Sequence, residues 1–136
     1  MGGMLRITLP SASPELYLKS VRWGREAIDY ATSAALPGRI PKKRRGIDPI
    51  LDLLLYDWPE RIEVQAAAAV ERGEPDLTPV LEVDEDLLRN ALNRGETIWA
   101  SLLKTLKTGG PVLDDDVVDL RARTRATTEQ ALAEAG

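Results

Sequence analysis

Cysteine, histidine and phenylalanine are all missing from this 136-residue chain. Without cysteine there can be no disulfide, thiolate metal ligand or thiol nucleophile. Without histidine the commonest general base, the commonest transition-metal ligand and the ordinary pH switch are gone as well. A catalytic site would have to run on carboxylates, lysine, tyrosine or a carboxylate-bound hard metal, which lowers the expectation of an enzyme. The lack of phenylalanine leaves Tyr17, Trp23, Tyr30, Tyr56, Trp58 and Trp99 as the aromatic residues, so the core must be mainly aliphatic. Long apolar runs are lacking too. None approaches the roughly 20 residues that cross a bilayer, and the apolar start is broken by Arg6, Pro10 and Pro14, which argues against a signal peptide. The expected location is the bacterial cytoplasm or a virion assembled inside a cell, with no membrane partner. The excess of Arg over Lys, 13 to 5, and the abundance of Ala accord with a bacterial or bacteriophage genome.

What is present fits a folded helical chain. The hydrophobic share is 43% and the charged share 29%, an ordinary globular balance. A chain of this length makes one domain with one core. Ala and Leu, both strong helix formers, dominate the apolar positions.

Charge is unevenly spread. Residues 1–46 hold nine basic and three acidic side chains, whereas residues 47–136 hold nine basic and nineteen acidic ones. The balances are +6 and −10, an asymmetry of the kind that marks interaction surfaces. Its peak is RIPKKRRGID, residues 39–48, where Arg39, Lys42, Lys43, Arg44 and Arg45 lie between two prolines.

Local signals divide the chain further. Residues 4–10, MLRITLP, alternate apolar and polar and predict a strand or extended arm within residues 1–12. Ser13-Pro14 is a helix start, a hydroxyl cap followed by a ring already set at helical φ. Tyr17, Val21, Gly24, Ile28, Ala31 and Ala35 then form one stripe of a helix that Pro37-Gly38 ends. Residues 37–47 form a basic loop. Asp48-Pro49 repeats the cap-plus-proline start and leads into IDPILDLLLYDW, apolar nearly all round and so expected to be the most buried helix, interrupted at Trp58-Pro59. ERIEVQAAAAVERG predicts another helix, whose Ala66–Ala69 face would let a neighbour approach closely. EPDLTPVLEV is extended, with a short strand over residues 80–83. Asp84 caps the next helix, with Val83 and Leu88 as a hydrophobic staple. Leu88, Leu92, Gly95, Trp99, Leu102 and Leu106 form its stripe, and Gly109-Gly110-Pro111 stops it. A last helix begins near Asp114. It carries few large apolar residues, so segment 109–136 is expected to depend on a partner. Gly24 and Gly95 share a place in the two long stripes, from an internal duplication or, as the simpler account has it, because each permits a close crossing. The expected fold is mainly α, a compact bundle of four or five helices in a single domain, 1–136, with short extended or strand-like arms.

Candidate chemistry is sparse. Asp114, Asp115, Asp116 and Asp119 could bind a hard cation, but acids at a helix start also complement its dipole, and their spacing is not that of an EF-hand. Asp84-Glu85-Asp86 invites the same two readings. Asp48 and Asp52, four apart, could share a proton, yet Asp48 is accounted for as a cap and Asp52 as a solvated or salt-bridged residue. Neither GxxxxGK[ST] nor GxGxxG occurs, and no serine sits in a nucleophile elbow. No catalytic, cofactor-binding or metal residue is assigned, and no cofactor is expected. Trp99, on a stripe, reads as core. Trp23 and Trp58 are candidate interface aromatics, since Trp is enriched at partner hot spots.

The basic run has three explanations. It is a solvated loop, a contact for the acidic face of a protein neighbour, or a binder of phosphate backbone without base stacking. PKKRR also has the form of a short nuclear-import signal, which the bacterial composition argues against. The leading expectation is a non-enzymatic assembly or adaptor subunit of a larger complex, such as a bacteriophage particle component. It would form a homo-oligomer or join other subunits through opposite-sign patches. The alternative is a nucleic-acid-binding accessory protein using Arg39, Lys42, Lys43, Arg44 and Arg45.

Overall fold

Three of the helices begin where a side-chain oxygen can take a free N–H group. Ser13 Oγ accepts from the Leu16 amide at 3.1 Å, Asp48 Oδ1 from Ile50 at 2.9 Å and Asp84 Oδ1 from Leu87 at 2.9 Å. The computed structural model describes residues 3–35, 46 and 48–135. In chain order these form β1 (Met4–Thr8), α1 (Pro14–Ala35), α2 (Pro49–Asp52), a π-helical turn (Leu53–Asp57), α3 (Trp58–Glu71), β2 (Val80–Asp84), α4 (Glu85–Leu106) and α5 (Asp115–Ala135). The chain is mainly helical with a short two-stranded antiparallel sheet. Because α2, the π turn and α3 follow one another without a break, the described residues form four helical rods.

The expected interruption at Trp58-Pro59 is therefore a change of helix type. Proline lacks an N–H and its ring collides with the carbonyl four residues earlier, here Leu55. The turn just before it is wider: the Trp58 N–H bonds to the Leu53 carbonyl, five residues back. That wider turn takes the chain through Pro59 without ending the helix.

The two extended arms pair with each other. Leu5 lies opposite Val83, Arg6 opposite Glu82 and Ile7 opposite Leu81. The contact continues past the strands, with the Leu9 amide on the Pro79 carbonyl at 2.8 Å and a bridge between Ala12 and Leu77. One face of the ribbon carries Ile7, Leu9, Leu81 and Val83, all buried; the other carries Met4, Arg6, Thr8 and Glu82, all exposed.

Around this ribbon α1 is the central rod, touching α3, α4 and α5. Its buried surface is accordingly wider than the expected stripe. Tyr17 and Val21 are buried on it, and so are Trp23 and Ala27 to one side. Ala66 and Ala69 of α3 are fully buried, and α3 packs along α1 as its small face predicts. Gly24 plays no part in a close crossing, since a Cβ there would meet nothing within 4 Å. At Gly95 the Leu54 Cδ1 atom would lie at an ordinary 3.9 Å. The apolar segment from Ile50 to Leu55 is not the most buried helix either. Only Leu53 in it is buried, because α2 packs against α4 on one side and the others remain half-buried. At the far end of α5, Leu132 is buried in the core and its carbonyl accepts from Arg89 of α4 at 3.2 Å.

Candidate functional site

The residues expected to meet an anionic partner, Arg39, Lys42, Lys43, Arg44 and Arg45, lie outside the described residues. The structure does describe the residues that follow them, Gly46 and Asp48 onward. Gly46 has φ of 84°, a left-handed conformation suited to glycine. Its N–H is held by both oxygens of Asp52, at 3.1 and 3.0 Å. Asp52 is therefore a backbone anchor, where a solvated or salt-bridged role was expected. Two residues past Gly46, Asp48 caps α2 with one oxygen and takes Arg94 of α4 on the other at 2.6 Å. The Arg94 hydrogen bond, helped by the Ile50 amide, holds the Asp48 carboxyl below the usual carboxylate range. Gly46 is thus fastened to the start of one rod, and Asp48 ties that start to the flank of another. Each carboxylate is engaged by other groups, Asp52 by the Gly46 amide and Asp48 by Ile50 and Arg94.

Charge is the second feature of the site. The described residues carry 13 basic and 22 acidic side chains, a balance of −9, and the five remaining cations of the chain are those of the basic run. Most cations of the described body are already committed. Lys19 of α1 pairs with Asp114 at 2.9 Å and Asp116 at 3.0 Å beside α5, and Arg25 grips both oxygens of Glu63 on α3 at 2.5 and 3.2 Å. Arg61 meets Asp57, Arg72 meets Glu74, and Arg125 meets both Glu96 and Glu129. Such exposed pairs contribute little to the stability of the fold. Their importance is that they leave the body with excess carboxylates.

The acidic clusters have structural work. Lys19 holds the Asp116 carboxyl below its ordinary value, and its own pKa is raised by Asp114 and Asp116. Asp84 is occupied as a cap. Among the described residues, no three carboxylates converge as a metal site would require. Two shallow, open depressions share Tyr56. One is lined also by Arg25, Ile28, Asp29 and Leu55, the other by Asp52, Asp57 and Glu60.

Of the candidate interface aromatics, Trp23 is buried and Trp58 half-buried. Trp23 is only 6% exposed and meets Trp99 edge-on, with ring centroids 5.7 Å apart. The guanidinium of Arg121 lies over the other ring at 4.0 Å, a cation–π contact. The ring takes some water from the guanidinium and so lowers its pKa, yet Arg121 as a whole is exposed and stays charged at neutral pH. Trp58 is half-buried against the core. Among the described residues the Nε1 groups of Trp23 and Trp58 are both buried without a hydrogen-bond partner.

Sequence reasoning did not foresee Arg94 as the partner of Asp48, Asp52 as the anchor of Gly46, or Arg121 over Trp99. The Arg94 and Arg121 contacts join segments far apart in the chain, while Asp52 reaches a glycine six residues back that no motif marks as its partner; only Pro59 signalled locally that the neighbouring helix had to be irregular. No family model matches the chain, and no curated protein or solved structure matches it.

Proposed function

We propose that the protein is a non-enzymatic structural or adaptor subunit that assembles through contacts of opposite charge, with Arg39, Lys42, Lys43, Arg44 and Arg45 of one copy meeting the acidic body of the next. The observation that carries this reading is the division of charge: a body of −9 bearing one segment of +5. Unlike patches on one chain suit head-to-tail association, which closes into rings or runs on into filaments. The anchoring of Gly46 and Asp48 supports it, because fixed residues beside a binding segment lose no further freedom on docking. A bacteriophage particle component is the setting that the size and composition favour. The acidic body favours a protein partner over nucleic acid, since phosphates near it would be repelled.

The test replaces Arg39, Lys42, Lys43, Arg44 and Arg45 by Ala and compares sedimentation with the parent chain. The expected result is association in the parent and its loss in the variant, while both keep the same helical signal. Titration with duplex DNA at several salt concentrations runs beside it. Salt-dependent DNA binding with a log–log slope of about −4, together with a parent chain that never self-associates, would replace this reading by nucleic-acid binding.

A further inference from the structure

The β1–β2 ribbon has two outer edges, and they are treated differently. The Glu85 amide bonds to the Gly3 carbonyl at 2.9 Å and the Leu9 amide to the Pro79 carbonyl at 2.8 Å. With the observed register, these bonds set the odd-numbered residues of both strands facing each other and turn the N–H and C=O groups of the even-numbered ones outward. On β2 three of the outward groups are taken. The Gln65 amide of α3 donates to the Val80 carbonyl at 2.9 Å and accepts from the Val80 N–H at 3.0 Å. Arg61, one turn earlier, donates to the Glu82 carbonyl at 2.9 Å. A helix thus seals that edge.

On β1 the outward groups belong to Met4, Arg6 and Thr8, and among the described residues they take no partner. All three side chains are exposed, Met4 by 67%. The open stretch has defined ends. The Gly3 carbonyl is occupied by Glu85, while past Thr8 the Pro10 carbonyl accepts from the Tyr17 hydroxyl at 2.5 Å and the Ser11 carbonyl from Arg123 at 2.9 Å. An unpaired row of this kind is a template for another strand.

We propose that this edge receives an extended segment of a different protein, one bearing an acidic residue opposite Arg6. Arg6 is the middle of the open row and faces Glu82 across β2; a carboxylate on the incoming strand gives it a second neighbour of opposite sign. The same residue excludes a second copy of this chain. Two β1 strands paired about a two-fold axis use all three residues only when Arg6 lies opposite Arg6. Like charges so placed are destabilising, and other registers give up a hydrogen-bonded pair. This inference goes beyond the assembly reading. It concerns a different surface and holds whether or not the basic segment binds anything.

The experiment titrates the full ¹⁵N-labelled chain with two capped peptides, Thr-Val-Thr-Glu-Thr-Val-Thr and the same sequence with Lys in place of Glu. The acidic peptide should shift the amides of Met4, Arg6 and Thr8 and slow their hydrogen exchange, and the Lys peptide should bind about fivefold more weakly. Arg6→Glu, at an exposed position that leaves the core intact, should invert that preference. The proposal is overturned if neither peptide moves the β1 amides, if both bind equally, or if β1 shows contacts to β1 of a second copy.

Discussion

Gly110 and Gly24 lack the same side-chain atoms but in opposite surroundings. Gly110 has φ of 97°, and a Cβ on it would lie 2.7 Å from Leu106 Cδ2 and 2.9 Å from Tyr30 Cδ1, because the turn after α4 closes over the Tyr30 ring. Gly110→Ala should cost about 1–3 kcal/mol from strain and overlap. Gly24 sits in the open on α1, so Gly24→Ala should stabilise by about 0.5–1 kcal/mol. Urea unfolding of both variants checks the pair. The stop at Gly109-Gly110-Pro111 was legible because glycine and proline end helices by local chemistry. The role of Gly24 was not, because a stripe says which face turns inward and not how near the next rod comes. Tyr17 offers a pH-dependent test at the same scale. Burial is the main cause that raises its phenol from 10.0 to about 12. Its folded pKa lies above the unfolded one, so the stability it contributes is full below about pH 10 and is lost as the pH climbs through about 12. One tyrosine should ionise near pH 12 by phenolate absorbance. Tyr17→Phe should flatten the alkaline loss while costing about 1 kcal/mol at neutral pH through the bond to Pro10.

At the scale of elements, the helix starts were the most readable features, since Ser13, Asp48 and Asp84 each act within four residues of themselves. The two strands were readable as extended pieces, from alternation in one and prolines around the other. Their pairing was not, because more than seventy residues separate Met4–Thr8 from Val80–Asp84 and no local signal sets a partner. The π turn falls between these cases: Pro59 demanded some irregularity, but an apolar run before it does not say whether the helix stops or widens. The sealing of β2 by α3 yields a direct prediction. Gln65→Ala leaves the Val80 N–H and C=O without their partner, which should cost about 1–2 kcal/mol. Hydrogen exchange at the Val80 amide should quicken, while that of Leu81 and Val83, inside the ladder, should change only with global stability.

For the whole molecule, the sequence pointed to charge asymmetry, and the fold redistributes it. Lys19 and Arg25 counted toward a basic N-terminal third, yet they reach across to Asp114, Asp116 and Glu63 and disappear into ion pairs. Counting along a chain cannot foresee such cancellation, which depends on which rods become neighbours. What remains is sharper than the original pattern: a carboxylate-rich body and five cations in one short segment. Head-to-tail assembly by that segment is the central claim, and its interactions must weaken as salt screens them. The direct measurement is molar mass by light scattering at about 0.01 M and about 1 M salt, between which the screening length falls from roughly 30 to 3 Å. The account predicts a mass several times the 14.9 kDa of one chain at low salt, falling toward one chain at high salt. A single-chain mass at both would contradict it.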